Sequence, residues 1–159
     1  MTVQISFWQQ AAHDVREAAE AARNARALVC NMGAIEDAQS MILAGREMNQ
    51  LGRPVVLDPV AAGGTSLRRE VAAELLKEVK FSSIRGNASE IRYLAGQQTA
   101  GSGVDVGALD KITEENLKEA SEMVRTLAER TGSVIAVSGK LDLVSDGKET
   151  AVLRNGCAT

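Results

Sequence analysis

An apolar run that ends in an acid and then in small residues, Pro54-Val-Val-Leu-Asp-Pro-Val-Ala-Ala-Gly-Gly-Thr65, constrains this chain more than any other stretch. Val55, Val56 and Leu57 form a short continuous apolar segment with two β-branched members, the pattern of a strand buried on both faces of a parallel sheet. Asp58 then stands at the carboxyl end of that strand, the edge where open α/β sheets bind ligands. Pro59 cannot extend the ladder, so the chain must turn there. The residues from Ala61 to Gly64 are small enough to let backbone approach a phosphate or a metal ion closely. Taken alone, Asp-Pro followed by Gly-Gly is equally well explained as turn chemistry after a strand.

A second strand end lies downstream in Ser82-Ser-Ile-Arg-Gly-Asn-Ala-Ser-Glu90. Asn87 and Glu90 have the spacing of a capping box, in which each side chain satisfies a backbone amide of the opening helix turn. For an isolated Asn-x-x-Glu this is the simpler explanation. Two strand-end acids in one crevice permit more: Asp58 and Glu90 are candidate ligands for a hydrated magnesium ion (Mg2+), with Arg85 meeting phosphate oxygens.

The rest of the chain alternates helix and strand. Helical spacing covers residues 13–24 (Val15, Ala18, Ala19, Ala22), 35–50 (Ala38, Met41, Ile42, Leu43), 67–80 (Val71, Leu75, Leu76, Val79), 88–95 and 116–130 (Leu117, Ala120, Val124, Leu127, Ala128). Strands are predicted at residues 27–32, from Pro54 onward, up to Arg85, and at 134–137. Asp146-Gly147 between residues 141–145 and 150–153 signals a β-hairpin. The expected architecture is α/β: three layers, a mostly parallel sheet flanked by helices, with an antiparallel hairpin at its margin. Residues 96–110 form the one long loop without a period, the kind often used for binding.

Composition narrows the class. With 159 residues, 45% hydrophobic and 25% charged, the chain is expected to be one domain, residues 1–159, with an apolar core. A net charge of -3, with cations dispersed among acids, argues against nucleic acid as a partner. The N-terminus lacks the basic and apolar regions of a signal peptide, and no stretch reads as a membrane span, so the expected location is cytoplasmic. Cys30 and Cys157 have no metal or disulfide spacing, and Cys30 lies in an apolar run expected to be core.

Asp-Pro-Val-Ala-Ala-Gly-Gly-Thr-Ser-Leu-Arg followed by Ile-Arg-Gly-Asn-Ala-Ser-Glu-Ile resembles the hydroxyethylthiazole kinase family, a thiamine-salvage branch of the ribokinase-like superfamily. The likeness continues through Gly103-Val-Asp105 and Val137-Ser-Gly-Lys-Leu-Asp142, from about Val15 to Gly156. The resemblance implies a kinase that uses ATP and magnesium to phosphorylate the alcohol of 4-methyl-5-(2-hydroxyethyl)thiazole, and a homotrimer with acceptor sites between subunits. It implies nucleotide contacts from Arg85 and from Ser138, which stands where the family usually has threonine. It also implies metal or phosphate roles for Asp58 and Glu90, and a loop motif closed by Thr65 and Arg68. Ala61 replaces the family's usual first glycine of that loop.

Two family elements have no match. Residues 1–10 show no substrate-binding segment with its methionine. Gly156-Cys157 lacks the preceding Gly-x and the following helix of the family's Gly-x-Gly-Cys anion hole, so no catalytic residue is assigned. The chain is therefore expected to be an incomplete ribokinase-like domain that exposes one sheet face and self-associates, with thiazole-dependent turnover near background. Two other readings remain at this point: a non-catalytic nucleotide-binding remnant, or an ADP- or ATP-dependent enzyme resembling NAD(P)H-hydrate dehydratase.

Overall fold

The computed structural model describes residues 15–33, 35, 38–96 and 111–154. The predictions for residues 1–14, for most of the 96–110 loop and for Gly156-Cys157 lie outside the described residues. The elements run α1 (Val15–Arg23), β1 (Leu28–Asn31), α2 (Ala38–Gln50), β2 (Val55–Asp58), α3 (Ser66–Glu78), β3 (Ser83–Asn87), α4 (Ala88–Gly96), α5 (Leu117–Thr131), β4 (Val134–Ser138), β5 (Asp142–Ser145) and β6 (Thr150–Leu153).

Local chemistry sets many of these boundaries. Thr65 Oγ1 accepts the Arg68 amide at 3.2 Å and so caps α3. Gly132, with φ 65°, adopts the left-handed conformation that ends α5. Gly147 takes φ 92° in the hairpin turn. There Asp146 Oδ1 accepts the amides of Lys148 at 2.8 Å and Glu149 at 2.9 Å. Those bonds, the Glu149 amide first, hold the Asp146 carboxyl below its usual range. At the far end of α4, Arg130 donates to the carbonyls of Leu94 at 2.8 Å and Ala95 at 3.2 Å, satisfying groups the helix leaves unpaired.

The six strands form one sheet in the order β1-β2-β3-β4-β5-β6. The first three pairings are parallel and the last two antiparallel, so the mostly parallel sheet with a hairpin margin is as the sequence predicts. Strands β2, β3 and β4 are adjacent, with their carboxyl ends at one edge. β3 differs in length: it runs two residues past Arg85, because Gly86 and Asn87 pair with Val137 and Ser138.

Burial alternates in phase along the strands. Cys30, Leu57, Ile84, Ile135 and Leu143 are buried to 1% exposure or less, and their register puts them on one face. On the other face Val29 is 47% and Val134 39% exposed. This corrects the expectation, drawn from the continuous Val55–Leu57 run, of strands buried on both faces, and agrees, for the described residues, with the expectation of one exposed sheet face. The reason is the strand order: when parallel neighbours follow one another in sequence, right-handed crossovers deliver every connecting helix to the same side. What the described residues contribute to a three-layer arrangement is the sheet and the helical layer on one face.

The core joins Met32, Met48, Leu57, Leu75, Ile84, Ile91, Leu94, Leu127, Ile135 and Leu143, all below 2% exposure. Cys30 belongs to it as expected, and burial pushes its thiol from 9.0 up to about 12. The inward stripe of α2 is rotated from the predicted one. Ile42, Ala44, Gly45 and Met48 are buried, whereas Leu43 is only half-buried. Gly45 explains the rotation: a Cβ there would lie 2.7 Å from Cγ1 and Cγ2 of Val79, so the absence of a side chain lets α2 sit close to the end of α3. No described helix is long and apolar enough to cross a membrane.

Candidate functional site

The carboxyl edge of β2, β3 and β4 collects the residues singled out from sequence. Asp58 ends β2. The Leu57↔Ile84 pairing, carried one residue on, sets Asp58 beside Arg85, while Arg85 pairs with Ala136 and Asn87 with Ser138. Strand alternation then gives Asp58, Arg85 and Ser138 the same face, the one the described helices leave open. Ser138 Oγ donates to the Gly86 carbonyl at 3.4 Å. The Arg85 side chain is exposed there, with its guanidinium donors available to an anion.

Glu90 reaches the same edge from the helical side. Its Oε2 accepts the Asn87 amide and Asn87 Oδ1 accepts the Glu90 amide, both at 2.9 Å, so the capping box is formed in full. Its other oxygen, Oε1, accepts the Ala61 amide at 3.0 Å. Gly86 makes room for this: a Cβ there would be 2.9 Å from Glu90 Oε2. Asp58 and Glu90 therefore both meet the 59–64 turn, Asp58 leading into it and Glu90 holding it.

The turn is built on backbone bonds. The Ala62 amide donates to the Pro59 carbonyl at 3.0 Å and the Gly64 amide to the Ala61 carbonyl at 2.8 Å. Ala61 itself has φ 53°, a left-handed conformation that side chains disfavour. Between this turn and α4 opens a cleft of about 700 Å³, lined in part by Gly63, Gly64, Ser89, Glu90 and Tyr93. Gly63 approaches the Tyr93 ring so closely that a Cβ would come within 2.9 Å of Cδ2. Desolvation pushes the Tyr93 phenol above its ordinary value, against an opposing pull from the charge of Arg69.

Two contributors were not identified in the sequence. Asn31, at the end of β1, donates through Nδ2 to Asp58 Oδ2 at 3.4 Å and accepts the Gly33 amide on Oδ1 at 2.6 Å. Its signal was an Asn at a strand end before Met-Gly. Tyr93 lies one helical turn beyond Glu90, and that spacing was the available clue. Arg68, noted only as the end of the loop motif, proves to be a clamp. It donates to the carbonyl of Met32, to that of Val60 at 2.8 Å and to that of Gly33 at 3.1 Å, joining the turns after β1 and β2.

The carboxylates suit a hydrated magnesium ion. Asp58 is half-buried and takes one long side-chain bond, and each Glu90 oxygen takes one amide. Both carboxylates thus keep lone pairs for ordered water, and magnesium characteristically retains several waters. Among the described residues no three acidic, histidine or cysteine side chains converge as a metal cluster.

The hydroxyethylthiazole kinase family model matches residues 10–159. The chain is 42% identical over 147 residues to a hydroxyethylthiazole kinase of Desulfovibrio desulfuricans, covering 91% of this chain and 52% of that protein. It is 45% identical over 145 residues to a Haemophilus influenzae hydroxyethylthiazole kinase, covering 90% and 52%. Among solved structures, a hydroxyethylthiazole kinase protein from Pyrococcus horikoshii OT3 superposes with a TM-score of 0.74 at 34% identity, covering 92% of this chain and 52% of that one. The chain spans about half the length of the curated relatives it matches.

Proposed function

This chain belongs to the hydroxyethylthiazole kinase family, and from that membership we propose that it supplies the nucleotide and metal edge of an ATP-dependent kinase acting on the alcohol of 4-methyl-5-(2-hydroxyethyl)thiazole. The observation that carries the reading is the alignment of Asp58, Arg85 and Ser138 along the carboxyl ends of three adjacent parallel strands. An acid beside a guanidinium, with a hydroxyl two residues farther along the next strand on the same face, suits a polyphosphate and its counter-ion.

In this reading Arg85 pairs with phosphate oxygens through its fork of donors, and Ser138 offers its hydroxyl to the nucleotide. Asp58 and Glu90 would hold magnesium through its water shell. The chemistry a bound magnesium ion supplies is neutralisation of phosphate charge during transfer. Glu90 has a second task, keeping the 59–64 turn docked on α4 through the Ala61 amide. The family match favours this function over the hydrate dehydratase reading. A homotrimer is the assembly the resemblance implies.

Calorimetric titration of the chain with ATP, with and without magnesium, tests the proposal. Magnesium-dependent binding that weakens roughly tenfold or more in Arg85→Ala is expected, the scale of a lost charge-assisted bond. Binding indifferent to Arg85 and to magnesium would remove the assignment. A phosphoryl-transfer assay with the thiazole alcohol then tests the acceptor.

A further inference from the structure

A closed set of hydrogen bonds surrounds Asp58 and involves none of the residues assigned to nucleotide. Asn31 Nδ2 donates to Asp58 Oδ2 at 3.4 Å, and Asn31 Oδ1 accepts the Gly33 amide at 2.6 Å. The Gly33 amide can only donate, so it fixes which end of the Asn31 amide is oxygen and turns the NH2 group toward the carboxylate. Gly33 is held in turn: its carbonyl and that of Met32 accept from Arg68, which also takes the carbonyl of Val60, two residues past Asp58. The chain of contacts leaves Asp58 through Asn31 and returns to its own loop through Arg68. Backbone pairing supports it, since Asn31 and Asp58 are register partners on β1 and β2 and the Met32 amide donates to the Asp58 carbonyl at 3.0 Å.

We infer that Asn31 is a positioning residue for the site, acting through Asp58: it holds one carboxylate oxygen in place so that the other is presented to the magnesium-nucleotide complex. The inference rests on the role proposed above for Asp58. An amide suits this task better than a charged donor. It fixes the carboxylate without neutralising it, whereas a lysine or arginine would compete with the metal for the same charge. Gly33 fits the same geometry, because a Cβ there would lie 2.8 Å from Asn31 Oδ1, so the Asn31 amide would have to shift relative to Asp58.

The test is a double-mutant cycle on the whole chain, Asn31→Ala and Asp58→Asn singly and together. It is read out both by urea unfolding and by calorimetric affinity for ATP at saturating magnesium. Asn31→Ala should weaken affinity roughly five- to tenfold, the scale of one ordinary hydrogen bond, as suits a long contact. The same substitution should have little effect when Asp58 is already Asn, because the carboxylate it acts through is gone. Gly33→Ala, which leaves the Asn31 side chain chemically intact, should reproduce the loss. Equal weakening by Asn31→Ala in both backgrounds would overturn the inference, since a purely structural role adds independently of Asp58. Coupling seen in unfolding but not in affinity would overturn it too, by showing a contact without functional reach. Affinity insensitive to Asp58→Asn itself would instead remove the role proposed for Asp58, and the positioning role with it, and is a separate observation from either of these.

Discussion

The Ala61 amide donates to Glu90 Oε1 at 3.0 Å, so one carboxylate both caps α4 and latches the turn that follows Asp58. The two functions use different oxygens of the same side chain. Turn and helix therefore form one unit at the sheet edge, and the conformation of Ala61 becomes part of the site.

Ala61 holds φ 53°, where a β-carbon costs about 1 kcal/mol or slightly more. Ala61→Gly relieves that strain while keeping the amide that Glu90 accepts. Urea unfolding should show stabilisation of about 0.5–1 kcal/mol, the gain being reduced by the greater freedom of glycine in the unfolded chain. A loss of stability would mean that the alanine methyl contributes packing that outweighs the strain.

Arg68 satisfies carbonyls from two turns at once. Arg68→Ala should destabilise the fold by about 2–3 kcal/mol, the range for bonds from a charged donor to groups left without their partner. Arg68→Lys should recover only part of this, because a single ammonium cannot reproduce the planar fork. Equal stability of the lysine variant and the wild type would show that charge alone suffices.

Gly45 and Val79 interlock where α2 meets the end of α3. Gly45→Ala should cost about 1–3 kcal/mol through overpacking, and Val79→Ala introduced in that background should recover part of the loss. The observable is the coupling in an unfolding cycle. Additive effects would show that α2 shifts to accommodate the methyl.

Cys30 provides an alkaline signature. Burial raises its thiol from 9.0 to about 12, so above pH 9 the unfolded chain loses this proton more readily than the folded one. The unfolded state then binds fewer protons, and stability falls with rising pH. The contribution is complete below pH 9 and is lost progressively up to about pH 12. Cys30→Ala removes it, so the stability advantage of the wild type over the variant should narrow through that window. A difference independent of pH would show that the thiol does not titrate on unfolding.

Much of the architecture was legible from residues that act within a few positions of one another. Asn87 and Glu90 announce a helix start and Asp146-Gly147 a hairpin, because each acts on backbone groups within three or four residues of itself. Strand identity followed from apolar runs, and the carboxyl-edge location of Asp58 and Ser138 followed from strand identity. Arg85 was assigned to the right strand but to its last position, since nothing local tells Gly86 and Asn87 that Val137 and Ser138 will pair with them.

Only the tertiary structure decided which sheet face is covered, how α2 is rotated and what holds Asp58. The Asn31 to Asp58 bond spans 27 residues and the Arg68 clamp up to 36. Periodicity marks a residue as inward or outward on its own element, but it carries no information about which distant backbone group that element will meet. Those partners are chosen when strands pair in order and the crossovers turn in one hand. That step sends the helices to one side of the sheet and leaves Asp58, Arg85 and Ser138 together on the other.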